Sequence, residues 1–203
     1  MARAVTITKD NLAGLLKRVE ELTGTRVLVG IPSTTAEVRP TPAGEVPQKG
    51  TPPNNAQLGY IHEFGAPASN IPPRPFLIPA IAGIQGEIAK QLRAVGVEML
   101  QNRAERARML YERLGLFASQ AVKIKISTGP FQPIRIETAL GRLRRLQRYQ
   151  KADRAARAQM RSEWLGGVSP GMMAQGVVDP SEFKPLIDTG ALRNAITYVV
   201  RKK

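Results

Sequence analysis

The chain of 203 residues contains no cysteine, a single histidine, a single tryptophan and few aromatic residues of any kind, 5% in all. Without cysteine, disulfides and thiolate metal sites are excluded, and a reducing compartment is tolerated. The lone histidine, His62, sits beside Glu63 as in half of a zinc-peptidase motif. That chemistry needs a second imidazole one helical turn on, so that both nitrogens meet the metal, and the chain cannot supply it. So few rings imply a core of Leu, Ile, Val and Ala. No apolar run reaches membrane-spanning length: the longest, Leu77 to Ile84, is interrupted by Pro79 and Gly83. The first residues, MARAVTITKDN, lack the apolar centre of a secretory signal. No glycine loop ending in Lys-Ser or Lys-Thr is present to cradle a phosphate, and no carboxylates pair at a useful spacing. These absences lead to an expectation of no enzyme, no cofactor and no metal.

Acids are scarce as well, 16 against 30 Lys and Arg, for a net charge of +14. Such an excess implies an anionic partner, either nucleic acid or the acidic face of another protein. It is concentrated between Arg142 and Arg161. There Arg142, Arg144, Arg145, Arg148, Lys151, Arg154, Arg157 and Arg161 face the one acid Asp153, so 8 − 1 = +7, half of the whole. As a helix this segment places Arg144, Arg148, Lys151 and Arg154 along one side, with Leu143, Leu146 and Tyr149 as a thin apolar edge. It reads as a solvated amphipathic helix, a dock for an acidic protein ring, or a DNA-phosphate contact with steep salt dependence. Tyr149 and Trp164 are the only rings nearby, too few for base stacking.

Along the chain, Thr8 or Asp10 can cap a helix carrying Leu12, Leu15, Leu16, Val19 and Leu22, and Gly24 ends it. Thr25 to Ile31 then alternates as a half-buried strand. Residues 32–55 are rich in proline and read as a surface loop or as an arm that orders on a neighbouring subunit. In the central stretch Leu58, Ile61 and Phe64 recur at helical spacing and are expected to face the core together. Gly65 stops that helix in a left-handed conformation, and Pro72, Pro73 and Pro75 stiffen the backbone before Phe76, Leu77 and Ile78 anchor a second helix. Ile84, Ile88, Leu92, Val95 and Met99 make one helical stripe, and Leu110, Leu114, Phe117, Ala121 and Ile124 make another. The pair forms either one long helix or two collinear ones, with Gly115 the weak point and Thr128-Gly129-Pro130 the end. Residues 137–166 form a basic helical insertion, 166–184 a flexible connection, and Ala195 to Val200 a last strand. The expected fold is α+β: one domain over 1–203, a small antiparallel sheet packed on one or two long helices.

Leu186-Ile187-Asp188-Thr189-Gly190-Ala191 looks like the catalytic turn of an aspartic peptidase, where two aspartates share a proton. Such a fold needs a flap and several strands after the turn, and fifteen residues follow Asp188. The better reading has Asp188 or Thr189 capping a short turn through Leu192.

Two blocks carry a resemblance. Gly59-Tyr60-Ile61-His62-Glu63-Phe64-Gly65 with Ile71-Pro72-Pro73-Arg74-Pro75-Phe76-Leu77, and then Pro185 to Ile196 with Asp188, Thr189, Gly190 and Leu192, resemble the tail-completion and neck proteins of long-tailed bacteriophages. The lambda tail-completion and Mu virion-morphogenesis families belong to that group. Residues 129–138 look like its Gly-Pro segment before a threonine-containing turn. The resemblance implies a non-catalytic α+β virion protein at the head–tail junction, completing the tail or joining it to the filled head, or both, through ring-type contacts. It implies partners in the chain itself, as a hexameric ring, and in stopper and terminator proteins, with non-specific contact to packaged DNA. By the same resemblance the protein resides in the virion neck and in the host cytoplasm during assembly. Shorter members have a brief loop where this chain carries its Arg-rich segment, whose role the resemblance therefore leaves unassigned. The alternative is a basic nucleic-acid-binding protein acting through residues 142–161.

Overall fold

The computed structural model describes residues 12–32, 53–178 and 184–202. Most of the proline-rich segment and the Thr8 and Asp10 caps lie outside the described residues. The elements in chain order are α1 (Leu12–Gly24), β1 (Thr25–Gly30), α2 (Asn55–Phe64), α3 (Leu77–Gly83), α4 (Gln85–Leu100) and α5 (Ala104–Thr128). They continue with α6 (Ile136–Arg145), α7 (Gln147–Lys151), α8 (Arg154–Gly166), α9 (Pro170–Gln175), α10 (Ala191–Asn194) and β2 (Thr197–Lys202). The fold is α+β, a two-stranded antiparallel sheet with long helices. The single domain expected over 1–203 divides by its internal contacts into two compact units, each assembled from separated pieces of chain.

The first unit takes residues 1–30, 81–121 and 197–203. Gly24 closes α1 and the chain turns at once into β1, which pairs antiparallel with β2 so that Val27 faces Val200 and Val29 faces Tyr198. One face of this ribbon packs against the helices, its Val27 and Val200 partly buried. Val95 and Met99 of α4 pack with Ala107 and Tyr111 of α5, and Leu22, Val27, Leu110 and Val200 close around them. A two-stranded ribbon is marginal by itself, and this apolar layer supplies what the strands lack. The Tyr111 hydroxyl donates to the Leu22 carbonyl at 3.3 Å, tying α5 to the end of α1.

Two expectations for these helices are corrected. The break between the long helices falls at Gln101 to Arg103, where Asn102 adopts φ 60°, and α5 runs unbroken through Gly115. Gly115 is a contact point instead. A Cβ there would lie 2.2 Å from the Tyr198 ring, so only glycine lets β2 approach the helix so closely. The buried stripe of α5 contains Ala107, Tyr111, Leu114, Ala118, Val122 and Ile126, whereas Ile124 is 60% exposed. Sequence spacing fixed the helix, but the neighbours on each side selected its buried face. The apolar stripe of α1 likewise leaves no residue buried.

The second unit takes residues 31–80 and 122–196. Here α2 begins with a reciprocal cap: Asn54 Oδ1 accepts the Gln57 N–H and Gln57 Oε1 accepts the Asn54 N–H, both at 2.9 Å. Its buried residues are Asn55, Gly59 and Glu63, not the expected set, and Phe64 points outward onto the Tyr60 ring at 4.8 Å. Gly65 ends the helix with φ 80° and ψ 175°, a glycine-only conformation outside the left-handed helical region.

The basic segment is not one helix. Leu146 (φ −65°, ψ 134°) and Ala152 (φ −74°, ψ 150°) are extended and divide it into α6, α7 and α8, and Asp153 caps the last by accepting the Ala156 N–H at 2.7 Å. Arg144, Arg148, Lys151 and Arg154 therefore do not share one helical side. Of the segment expected as a flexible connection, residues 166–178 form defined structure. Ser169 and Pro170 start α9, and Gly176 in the left-handed region stops it. The chain then bridges Arg135 to Val177, with Val178 N–H donating to Ile134 O at 3.1 Å. Val178 and Val168 are buried with Ile134 and Ala139, under Ile136, Trp164 and Met172, which is why these residues hold a fixed path.

Candidate functional site

The two sequence blocks meet in the second unit. Leu192 of α10 and Phe76 lie 3.8 and 3.9 Å from the place where a Cβ on Gly59 would stand. Around this meeting point the chain runs through segments without regular structure, 72–76, 129–133 and 184–190. Their backbone groups have no ladder or helix to satisfy them, and burial makes each unpaired one costly. Charged side chains meet that need.

Glu63, 6% exposed, accepts three main-chain N–H groups: Phe76 and Leu77 on Oε2 at 2.8 Å, and Ile78 on Oε1 at 2.9 Å. These donors open α3, so a carboxylate thirteen to fifteen residues away in sequence caps the helix and complements its positive end. Arg74, 8% exposed, donates from Nε to Gln132 O at 3.0 Å and from Nη2 to Pro133 O at 3.1 Å. Its own N–H donates to His62 O at 2.7 Å. Burial, and secondarily the nearby Arg142 charge, hold the Arg74 pKa below the usual arginine value. His62 is half-buried, Pro75 is exposed, and Ile61 lends its carbonyl to the Gly65 N–H.

The second block is held in the same manner. Arg142 donates from Nη1 to Lys184 O and Ile187 O, both at 2.9 Å, and from Nη2 to Pro185 O at 3.0 Å. Its Nε lies 3.7 Å from Asp188 Oδ1, and Arg145 Nη2 donates to Asp188 Oδ2 at 2.6 Å. A planar guanidinium with five donors suits this task, because one side chain can satisfy several carbonyls in a curved segment. The Lys184 ammonium adds a bond to Ser127 O at 3.0 Å. Thr189 Oγ1 accepts the Ala191 N–H at 3.3 Å, and Gly190 at φ 78° precedes α10, so the short turn through Leu192 forms as expected, capped from Thr189. Asp188 is engaged by two arginines and faces no second aspartate among the groups that hold it.

Of the eight basic residues read as partner contacts, then, Arg142 and Arg145 are fold anchors. Arg157 is another: Nε donates to Tyr149 O at 3.0 Å, Nη2 to Gln150 O at 2.7 Å, and its guanidinium sits 5.9 Å from the Tyr149 ring centre. Arg144, Arg148, Lys151, Arg154 and Arg161 are exposed and have no carboxylate partner among the described residues. Sequence reading missed the carbonyls as the arginines' targets, and nothing local marks them. It also missed the start of α8, for which Asp153 ahead of a helix-forming run was a usable signal. Among the described residues no group of three or more His, Cys, Asp or Glu is arranged to hold a metal ion, and no helix is long and apolar enough to cross a membrane. No protein-family model matches the chain, and no curated protein and no solved structure matches it either.

Proposed function

We propose that the protein is a non-enzymatic assembly component at the head–tail junction of a long-tailed bacteriophage, joining tail to filled head by protein–protein contacts within a ring. The observation that carries the reading is α1. Leu12, Leu15, Leu16 and Val19 line one side of it at helical spacing, yet the helix has no buried residue, and Leu12 and Leu16 are each 59% exposed. An apolar stripe left on the surface is the mark of a protein–protein contact. Closed rings use such surfaces heterologously, one face of a subunit meeting a different face of the next.

The sequence resemblance supports the same reading. Glu63, Arg74 and Asp188, three of the charged members of the two blocks, bond to the chain's own backbone or side chains, as a scaffold requires. The test is sedimentation of the purified protein alone and with tailless heads or isolated tails. Co-sedimentation with either particle, lost in a Leu12→Asp/Leu16→Asp variant of unchanged circular dichroism, is the expected result. A chain that ignores both particles refutes the reading.

A further inference from the structure

We infer that the exposed side of α7 and α8 is a binding surface for nucleic-acid phosphates, sequence-independent and distinct from the assembly contacts proposed above. The fold divides the arginines of residues 142–161 into two sets with different work. Arg142 and Arg145 are half-buried on carbonyls and Asp188, and Arg157, though exposed, is held by two carbonyls. Arg154 and Arg161 stand two helical turns apart on α8 and line an open trough of about 490 Å³ with Arg157, Tyr149, Ser162 and Leu165. No carboxylate lines it.

Three features select a phosphate backbone over an acidic protein. First, three arginines and no acid line the trough and Leu165 is its only large aliphatic, so its charge is of one sign, whereas the centre of a protein contact is depleted of charge. Second, Arg154 and Arg157 occupy the first turn of α8, where the helix dipole disfavours cations, and a bound anion would offset that cost. Third, the trough is built before any ligand arrives. The bonds from Arg157 to Tyr149 O and Gln150 O lock the end of α7 to the start of α8, so little ordering remains to oppose binding. The contact is to phosphates, because Tyr149 already lies beneath Arg157 and no other ring lines the trough for a base to stack on.

Fluorescence anisotropy of a labelled DNA duplex of mixed sequence, titrated at several salt concentrations, tests this. The Arg154→Glu/Arg161→Glu variant is compared with Arg93→Glu/Arg106→Glu, which makes the same charge change on α4 and α5. Loss of two phosphate contacts should lower the salt slope by about 2 and weaken binding by roughly tenfold or more. The control pair should change it far less. Equal loss in both variants shows that net charge alone binds DNA and overturns the inference. So does absence of duplex binding by the parent chain, or competition by polyglutamate as effective as by unlabelled duplex. Circular dichroism melting of both variants guards against misfolding. Co-sedimentation with phage particles is read separately, so this surface and the assembly reading fail independently.

Discussion

Replacing Glu63 tests the central structural claim, that a buried carboxylate caps α3 from a distance. Its two oxygens accept three N–H groups, two on Oε2 and one on Oε1. In Glu63→Gln the amide oxygen can take the place of Oε2 and keep two bonds, now to a neutral acceptor, while the amide N–H₂ confronts the Ile78 N–H. A bond to a charged group contributes about 1.5–3 kcal/mol and a neutral one about 1 kcal/mol. Two weakened bonds at about 0.5–2 kcal/mol each and one lost bond at about 1.5–3 kcal/mol sum to roughly 2.5–7 kcal/mol, with the low end expected because water can reach Ile78. In Glu63→Ala all three donors lose their partner. The Phe76 N–H is buried, and Ile78 lies where water can reach, so the loss is about 3–5 kcal/mol instead of three full penalties. Against a total stability of about 5–15 kcal/mol that is severe. Urea unfolding followed by circular dichroism measures both values, and hydrogen exchange at Phe76, Leu77 and Ile78 reports the cap itself. A Glu63→Gln protein within about 0.5 kcal/mol of the parent, with those amides still protected, would refute the reasoning, since that is the range of ordinary surface changes.

Gly115→Ala should destabilise by about 1–3 kcal/mol despite the better helix propensity of alanine, because its methyl enters the Tyr198 ring. In a Tyr198→Ala background the same change should become neutral or stabilising, and thermal melts of the four proteins read that reversal of sign. Arg142→Ala removes the donors to Lys184, Pro185 and Ile187, so hydrogen exchange of the Ile187 amide should accelerate severalfold while Arg144→Ala leaves it unchanged. Desolvation raises the pKa of the Tyr111 hydroxyl, and desolvation with the hydrogen bond and charge of Glu112 raises that of Tyr198. Folding thus favours their protonated forms, and that contribution is intact below the ordinary tyrosine range and lost as pH climbs through the raised values. Tyrosinate absorbance should show a late-titrating component in the folded protein that disappears in denaturant, and Tyr111→Phe should diminish it.

Much of the framework was legible because it is written locally. Gly24 and the alternation after it mark the turn from α1 into β1, and Thr128-Gly129-Pro130 marks the end of α5, since helix stops depend on the residues at the stop itself. The α+β class followed from counting such segments. Which side of each helix became buried did not follow, because periodicity gives a stripe and the neighbour decides whether it is covered. The stripe of α1 stayed exposed, and α2 buried Glu63 in place of Phe64.

The division of the arginines was still further from sight. Arg142 is indistinguishable from Arg144 in composition, charge and local spacing. It became an anchor because the fold brings carbonyls from 42 to 45 residues away within reach of its guanidinium. Gly115 read as a weak point for the same reason, its partner Tyr198 being supplied by a strand that pairs only once the chain has closed. The sequence by itself determined α1, the two strands, the end of α5, the cysteine-free chemistry and the basic excess. Tertiary structure alone decided which charges hold backbone and which face solvent, because that depends on donors and acceptors distant in the chain.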